Sequence, residues 1–195
     1  AGAYDMKIRV GDILAVMDAE GIDKAHYWGY SMGGQIGFEL AKRAPERFHS
    51  FILGGMHPYK RDASDFGQRI EVLKQGMEAY VASMDPQPDS ERKARLLAND
   101  GDALAAALDK TQHWPGTEDV LASMTIPCLL FAGEADAFFE GSKDAALRIP
   151  NSTFFSMPGL NHGEANQRSD LVLPHARKFL AGVSEKVVAA DEAYL

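Results

Sequence analysis

Apolar residues occur in two kinds of pattern along the chain. Four short apolar runs predict buried strands, and they lie at residues 25–28 (AHYW), 48–55 (FHSFILGG), 127–133 (PCLLFAG) and 151–157 (NSTFFSM). Apolar positions at helical spacing predict helices within residues 4–23, 32–44, 140–150 and 169–183. Strands separated by helices indicate an α/β fold, with a parallel sheet and helices on both of its faces.

Residues 57–123 interrupt this alternation, because they contain helical segments and no predicted strand. Polar breaks at 84–91 (MDPQPDSE) and 99–102 (NDGD) separate those segments. The predicted organisation is a first part of the core at 1–56, a helical cap or lid at 57–123 and a second part of the core at 124–195. Pro174 lies inside the closing helix at a local cost in hydrogen bonding, and the polar tail from Ser184 to Leu195 is expected to fray.

Composition and charge narrow the range of functions. The chain has 195 residues, of which 46% are hydrophobic and 25% charged, as expected for a globular protein. Its net charge of −8 opposes binding to nucleic acid or to anionic membranes, so we expect neither partner. No apolar run of about 18 residues predicts a membrane span and no basic-then-apolar leader is seen, which favours a cytoplasmic location. The single cysteine, Cys128, is expected to be a buried thiol.

One serine stands between glycines where a predicted strand gives way to a predicted helix. The segment Gly29-Tyr30-Ser31-Met32-Gly33 fits the pattern G-x-S-x-G, which in that context is typical of a nucleophile elbow. Such a sharp turn is expected to leave no room for side chains at Gly29 and Gly33. The Met32 amide, at the start of the helix, would then point at the position of an oxyanion. The alternative is that Ser31 is only the N-cap of the helix.

A serine hydroxyl is a poor nucleophile at neutral pH unless a base and an orienting acid accompany it. Glu134 and Asp136 come just after the third predicted strand, and His162 comes just after the fourth. Because the carboxyl ends of parallel strands open on one edge of the sheet, these residues are expected to meet Ser31 there. Asp136 is the favoured acid. Glu134, which directly follows Gly133, is the alternative and otherwise serves only in the turn.

The residues GYSMGG, AGEAD and GLNHGE resemble motifs of the serine hydrolases of the α/β-hydrolase superfamily, in the branch of small esterases, lactonases and carbon–carbon bond hydrolases. The order Ser, Asp, His along the chain also matches that superfamily. The resemblance implies a partial α/β-hydrolase fold with a helical cap insert, and neither a cofactor nor a metal. It implies that Ser31 is the nucleophile, His162 the general base and then acid, Asp136 its orienting carboxylate, and the Met32 amide half of the oxyanion hole.

These residues predict hydrolysis of a small-molecule carboxylic ester or lactone through an acyl-enzyme intermediate. Two alternatives stay open. One is a catalytically impaired module of the same fold that acts in binding or assembly, and the other is a carbon–carbon bond hydrolase or acyltransferase that uses the same triad. Tyr30 and Trp114 are candidates for substrate binding, although Trp114 could equally anchor the cap to the body.

The sequence also departs from the family that it resembles. The family's sheet normally has eight strands, and a loop upstream of the elbow, often His-Gly-x-Pro, supplies the second oxyanion amide. Only the strands that would be the fifth to eighth are predicted here, and no such loop is found. The strand at Ala25 to Trp28 is therefore expected to be an unpaired edge. Three explanations follow: the chain is the C-terminal part of a longer protein, it pairs edge to edge in a homo-oligomer, or it takes strands from another chain.

Overall fold

A computed structural model describes residues 4–62, 64–84 and 87–192. Its strands form one sheet and are β1 (Ala25–Tyr30), β2 (Phe48–Gly54), β3 (Cys128–Gly133) and β4 (Ser152–Met157). They pair in parallel in the order β1-β2-β3-β4. Every connection between them contains helix, as crossovers between parallel strands normally do. The predicted α/β class with a parallel sheet flanked by helices is confirmed.

Along the chain, the helices of the described residues precede, separate and follow these strands. They are α1 (Met6–Ala19), α2 (Met32–Arg43), α3 (Ser64–Lys74), α4 (Met77–Ala82), α5 (Ser90–Leu97), α6 (Gly101–Gln112), α7 (Phe139–Arg148), α8 (His162–Asn166) and α9 (Ser169–Glu192). Two 3₁₀ turns occur at Pro45–Arg47 and Glu118–Ser123. None of these described helices is both long and apolar enough to cross a lipid bilayer.

The chain divides into two compact units. One comprises Lys60–Gly116 with the described part of Ala1–Asp12, and the other comprises Ile13–Tyr59 with the described part of Thr117–Leu195. The second unit contains the sheet, and β2 and β3 are its most buried strands. Its core joins the strands to α8 and α9 through buried apolar side chains, namely Ile52, Leu129, Phe131, Met157, Ala165, Val172 and Ala176. Cys128 of β3 is buried, as predicted, and burial raises the pKa of its thiol to about 12.

The first unit is helical and has a core of its own. That core consists of buried apolar side chains from α3, α4 and α6, namely Phe66, Ile70, Leu73, Met77 and Ala105. The beginning of α1 belongs to this unit, since Arg9 Nη2 donates to the Ala107 carbonyl at 3.2 Å and Lys110 forms an ion pair with Asp5 at 3.5 Å. The predicted role of residues 57–123 as a cap or lid stays a prediction.

The first strand is longer than its apolar run indicates. The apolar run predicts a strand that ends at Trp28, before Gly29. Instead β1 continues through Gly29 and Tyr30, because these residues pair in register with Leu53 and Gly54 of β2. Pairing with a neighbouring strand therefore outweighs the local signal of a glycine. As a result the strand runs up to Ser31 itself.

The last helix is also longer than predicted. Fraying was expected from Ser184, but α9 continues to Glu192. Alanine, lysine and glutamate, which favour helix, make up much of this segment, and they explain the difference. Pro174 lies inside α9, as expected. Residues 193–195 of the predicted tail lie outside the described residues.

The outer edge of β1 carries an exposed aromatic side chain. In the described part of the chain β1 pairs with β2 alone, and Trp28 is 45% exposed. Trp28 and Tyr30, together with Val172 of α9, are among the residues that line a surface cleft of about 90 Å³. An unpaired strand with apolar flanks is a surface on which another strand can pair. Pairing along this edge stays a prediction.

If the β1 edges of two copies of this chain pair with each other, the 195-residue protein should be a dimer in solution. Light scattering should give twice the mass of one chain, and the β1 amides should be protected from hydrogen exchange. Trp28→Lys should return the monomer, because a charged side chain opposes strand pairing. A wild-type monomer whose outward β1 amides exchange freely would contradict the prediction.

Candidate active site

Ser31 joins β1 to α2 with an unusual backbone conformation. Its φ is +54°, and among the described residues no other non-glycine residue has a positive φ. Ser31 does occupy the N-cap position of α2, but its side chain makes no capping hydrogen bond. Its hydroxyl lies 2.9 Å from Nε2 of His162. The hydroxyl therefore faces another side chain, and helix capping does not explain a strain of about 1–3 kcal/mol.

The glycines on either side of Ser31 differ in the space around them. A Cβ at Gly29 would lie 2.3 Å from the carbonyl oxygen of Gly33, which is too close for any side chain. A Cβ at Gly33 would meet nothing nearer than the Tyr27 hydroxyl at 3.8 Å. The expectation that neither position has room for a side chain is therefore right for Gly29 and wrong for Gly33. At Gly29 a Cβ would point at the backbone of α2, whereas at Gly33 a Cβ would have space.

This difference predicts opposite effects of two alanine substitutions. Gly29→Ala should lower the free energy of unfolding by about 1–3 kcal/mol, because backbone must shift to admit the methyl group. Gly33→Ala should be neutral or stabilise by up to about 1 kcal/mol, since alanine favours helix. Urea unfolding of both variants measures the difference. Equal losses in the two variants would contradict this description of the turn.

Three predicted side chains form one hydrogen-bonded chain. Nδ1 of His162 lies 2.8 Å from Oδ2 of Asp136, and its Nε2 lies 2.9 Å from the Ser31 hydroxyl. The Asp136 side chain is fully buried, whereas that of His162 is 38% exposed. An ionised carboxylate only accepts hydrogen bonds, so Nδ1 of His162 donates. In the neutral imidazole Nε2 then accepts from the Ser31 hydroxyl.

The loops after β3 and β4 hold the acid and the base in place. Oδ1 of Asp136 accepts from the Phe138 amide at 3.0 Å, which fixes the carboxylate in the turn before α7. Asn161 caps α8 by accepting from the Gly163 and Glu164 amides, each at 3.0 Å, so that His162 begins that helix. Hydrogen bonds within each loop thus hold its own functional residue in position, Asp136 in the loop after β3 and His162 in the loop after β4.

Glu134, the alternative acid, has a different partner. Its carboxylate accepts from the Ser156 hydroxyl at 2.9 Å, and its amide donates to the Met157 carbonyl at 3.0 Å. The structure thus puts Asp136, and not Glu134, against His162.

The other predicted site residues occupy different surroundings. The Met32 amide is the first N–H of α2, one of the donors that a helix start leaves without an intrahelical partner. The Tyr30 hydroxyl donates to the His162 carbonyl at 2.7 Å. Trp114 belongs to the helical unit and is 4% exposed. The proposed substrate contacts of Tyr30 and Trp114 stay predictions.

Two aromatic neighbours of the site were not singled out as site residues from the sequence. The Phe138 ring packs 5.2 Å from the His162 ring and 5.5 Å from the His57 ring. A Cβ at Gly141 would lie 2.5 Å from the His57 ring, so α7 approaches that imidazole closely. The position of Phe138 two residues after Asp136 was the available signal.

Known proteins match this chain in sequence and in fold. The model of the α/β-hydrolase fold family matches residues 9–94. A putative carbamate hydrolase RutD of Azorhizobium caulinodans is 32% identical over 150 residues, which cover 65% of this chain and 54% of that protein. This chain spans 65% and 64% of the length of two further putative carbamate hydrolases, from Pseudomonas. It thus spans between about half and two thirds of these relatives.

Solved structures share the fold at lower sequence identity. An esterase from Thermogutta terrifontis superposes with a TM-score of 0.80 at 22% identity, covering 92% of this chain and 73% of that chain. An enol-lactonase from Burkholderia xenovorans also gives 0.80, at 20% identity and 91% and 74% coverage. Together with the parallel sheet and the strand-to-helix turn at Ser31, these matches show that the chain has the α/β-hydrolase fold, and they support its membership of the α/β-hydrolase superfamily.

Proposed function

We propose that this protein is a serine hydrolase that cleaves a carboxylic ester or a lactone through an acyl-enzyme intermediate. The observation that carries the proposal is the hydrogen-bonded chain from Ser31 through His162 to Asp136, with distances of 2.9 and 2.8 Å. The positive φ of Ser31 supports it, since strained backbone is often retained at reactive residues. Similarity to putative carbamate hydrolases supports hydrolytic chemistry.

Acylation begins when the Ser31 hydroxyl attacks the substrate carbonyl carbon. The hydroxyl proton passes to Nε2 of His162 as the new carbon–oxygen bond forms. The resulting imidazolium keeps its Nδ1 bond to Asp136, whose negative charge stabilises it. His162 then gives the proton to the leaving alkoxide, so the carbon–oxygen bond breaks and the alcohol departs. In a lactone the alcohol stays attached to the acyl group.

Deacylation repeats these steps with water. Nε2 of His162 takes a proton from water as the water oxygen attacks the acyl carbon. The tetrahedral intermediate collapses, the proton returns to the oxygen of Ser31, and the carboxylic acid leaves. No cofactor enters this scheme, because the nucleophile and the base are both side chains of the protein.

The oxyanion of both tetrahedral intermediates needs hydrogen-bond donors. We assign the Met32 amide as one donor, because the start of α2 also contributes the positive end of the helix dipole. Loss of one donor lowers kcat by about a hundredfold to a thousandfold. The rival proposal, a catalytically impaired module for binding or assembly, depends on whether a second amide joins Met32.

We also consider substrates other than esters and lactones on which Ser31, His162 and Asp136 would act by the same chemistry. A carbamate is the second candidate, because the relatives matched in sequence are putative carbamate hydrolases. The carbonyl of a carbamate is less electrophilic than that of an ester. A serine that attacks a carbamate should therefore also attack an activated ester, so an activated ester measures the reactivity of Ser31 whichever of the two is the substrate. Carbon–carbon bond cleavage and acyl transfer to alcohols use the same nucleophile and base.

The experiment is rapid mixing with p-nitrophenyl acetate and with a p-nitrophenyl carbamate. An acyl-enzyme predicts a burst of nitrophenol equal to the enzyme concentration, followed by slower steady release. A faster steady rate with the acetate supports an esterase, and a faster rate with the carbamate supports the second candidate. Release at the rate of buffer alone from both compounds would contradict the proposal and favour the impaired module.

A further inference from the structure

Tyr30, the residue before Ser31, connects the strand of the proposed nucleophile to the helix of the proposed base. Its hydroxyl donates to the main-chain carbonyl of His162 at 2.7 Å. Its ring also lies 5.1 Å from the His162 ring, at an angle of 39° between the two planes. One side chain therefore contacts both the backbone and the imidazole of His162. A movement of the His162 backbone away from Ser31 would lengthen or break this hydrogen bond.

The end of β2 fixes the Tyr30 ring. A Cβ at Gly54 would lie 2.6 Å from that ring and a Cβ at Gly55 would lie 2.5 Å from it, so the two glycines leave a slot that the ring fills. Gly55 also has a φ of +56°, a conformation that favours glycine. Phe131 of β3 packs against the ring with 5.9 Å between centroids. The Tyr30 hydroxyl is thus held in one position by packing on two strands.

The Tyr30 hydroxyl can donate a hydrogen bond only while it keeps its proton. Burial, together with the negative charge of Asp136 nearby, raises the pKa of the Tyr30 phenol above its ordinary value. The hydroxyl therefore keeps its proton over the pH range in which ester hydrolysis is measured, and the carbonyl of His162 has a donor throughout.

We propose that Tyr30 is a positioning residue, which acts through the His162 carbonyl to keep the imidazole within hydrogen-bonding distance of the Ser31 hydroxyl. The inference rests on the proposed hydrolase function, since it concerns the geometry of the base in that reaction. Nε2 of His162 has to exchange protons with Ser31, the leaving group and water in turn. A small displacement of the imidazole therefore lowers kcat, whereas it leaves substrate affinity unchanged.

The test compares Tyr30→Phe with Tyr27→Phe. Tyr27 lies on the same strand, and its hydroxyl also donates to a main-chain carbonyl, that of Gly33, at 2.8 Å. Each substitution removes one hydroxyl and one comparable hydrogen bond, but only the first concerns His162. Two measurements are made. Steady-state kinetics with p-nitrophenyl acetate give kcat and KM, and proton NMR gives the downfield signal of the His162 Nδ1–H that donates to Asp136. The NMR signal does not depend on turnover, and its absence from His162→Ala assigns it.

Tyr30→Phe should lower kcat by about tenfold to a hundredfold with KM unchanged, and should broaden the Nδ1–H signal. Tyr27→Phe should show a similar loss of thermal stability but keep the signal and most of kcat. Equal changes in the two variants would overturn the inference, and a rise in KM alone would show substrate binding instead. If the wild-type protein hydrolyses no ester, the proposed function fails, and the NMR signal still decides whether Tyr30 holds the imidazole.

Discussion

Ser31→Ala is expected to lower kcat for p-nitrophenyl acetate by about 10⁵- to 10⁶-fold. The variant has no hydroxyl to accept the acyl group, so His162 can at most activate water at a badly placed position. Nothing else in the hydrogen-bonded chain changes, because Asp136 still accepts from Nδ1 of His162. The measurement is steady-state hydrolysis at enzyme concentrations high enough to detect the residual rate.

Ser31→Gly is the matched control for folding. Glycine adopts a φ of +54° without strain, so this variant should be more stable than the wild type by about 1 kcal/mol or more and just as inactive as Ser31→Ala. A gain in stability with loss of activity would mean that the protein retains a strained serine for its chemistry. Wild-type rates in both variants would remove Ser31 from the mechanism.

Asp136→Asn should lower kcat by about 10⁴-fold with little change in the fold. Its side chain is fully buried and accepts from His162 and from the Phe138 amide. An asparagine that keeps its carbonyl oxygen on the Phe138 amide presents an NH₂ group to His162. Nδ1 must then accept, so the imidazole proton moves to Nε2, where it blocks acceptance of the Ser31 proton.

Glu134→Gln provides the matched control for this prediction. Glu134 lies two residues before Asp136, but its carboxylate accepts from the Ser156 hydroxyl. The glutamine side chain can still accept that bond, so kcat should stay at the wild-type level. The comparison uses the same ester and the same steady-state assay. A larger loss in Glu134→Gln than in Asp136→Asn would reverse the choice of acid made here.

The meeting of Ser31, Asp136 and His162 could be predicted because it follows from topology. Each of the three residues comes shortly after a strand, and the strands are parallel, so their carboxyl ends share one edge of the sheet. Apolar runs and helical spacing located the strands to within one or two residues. The choice between Asp136 and Glu134 was harder, because both follow β3 and only the path of the turn separates them.

The Tyr30–His162 hydrogen bond and the difference between Gly29 and Gly33 could not be predicted, because the contacts behind them leave no pattern in the local sequence. Tyr30 and His162 are 132 positions apart, and nothing around either residue indicates the hydrogen bond between them. The difference between Gly29 and Gly33 is equally hidden, since both are glycines in a symmetrical motif. It arises because the strand backbone at Gly29 passes beside the helix carbonyl of Gly33.

The most direct test of the account is to locate a covalent adduct on the chain. The protein is treated with a p-nitrophenyl phosphonate, which transfers its phosphonyl group to an activated serine, and is then digested and analysed by mass spectrometry. We predict one adduct per chain, on Ser31, with no labelling of Ser31→Ala and slow labelling of Asp136→Asn. Equal labelling of the wild type and Ser31→Ala, or an adduct at another residue, would contradict the claim that Ser31 is the nucleophile.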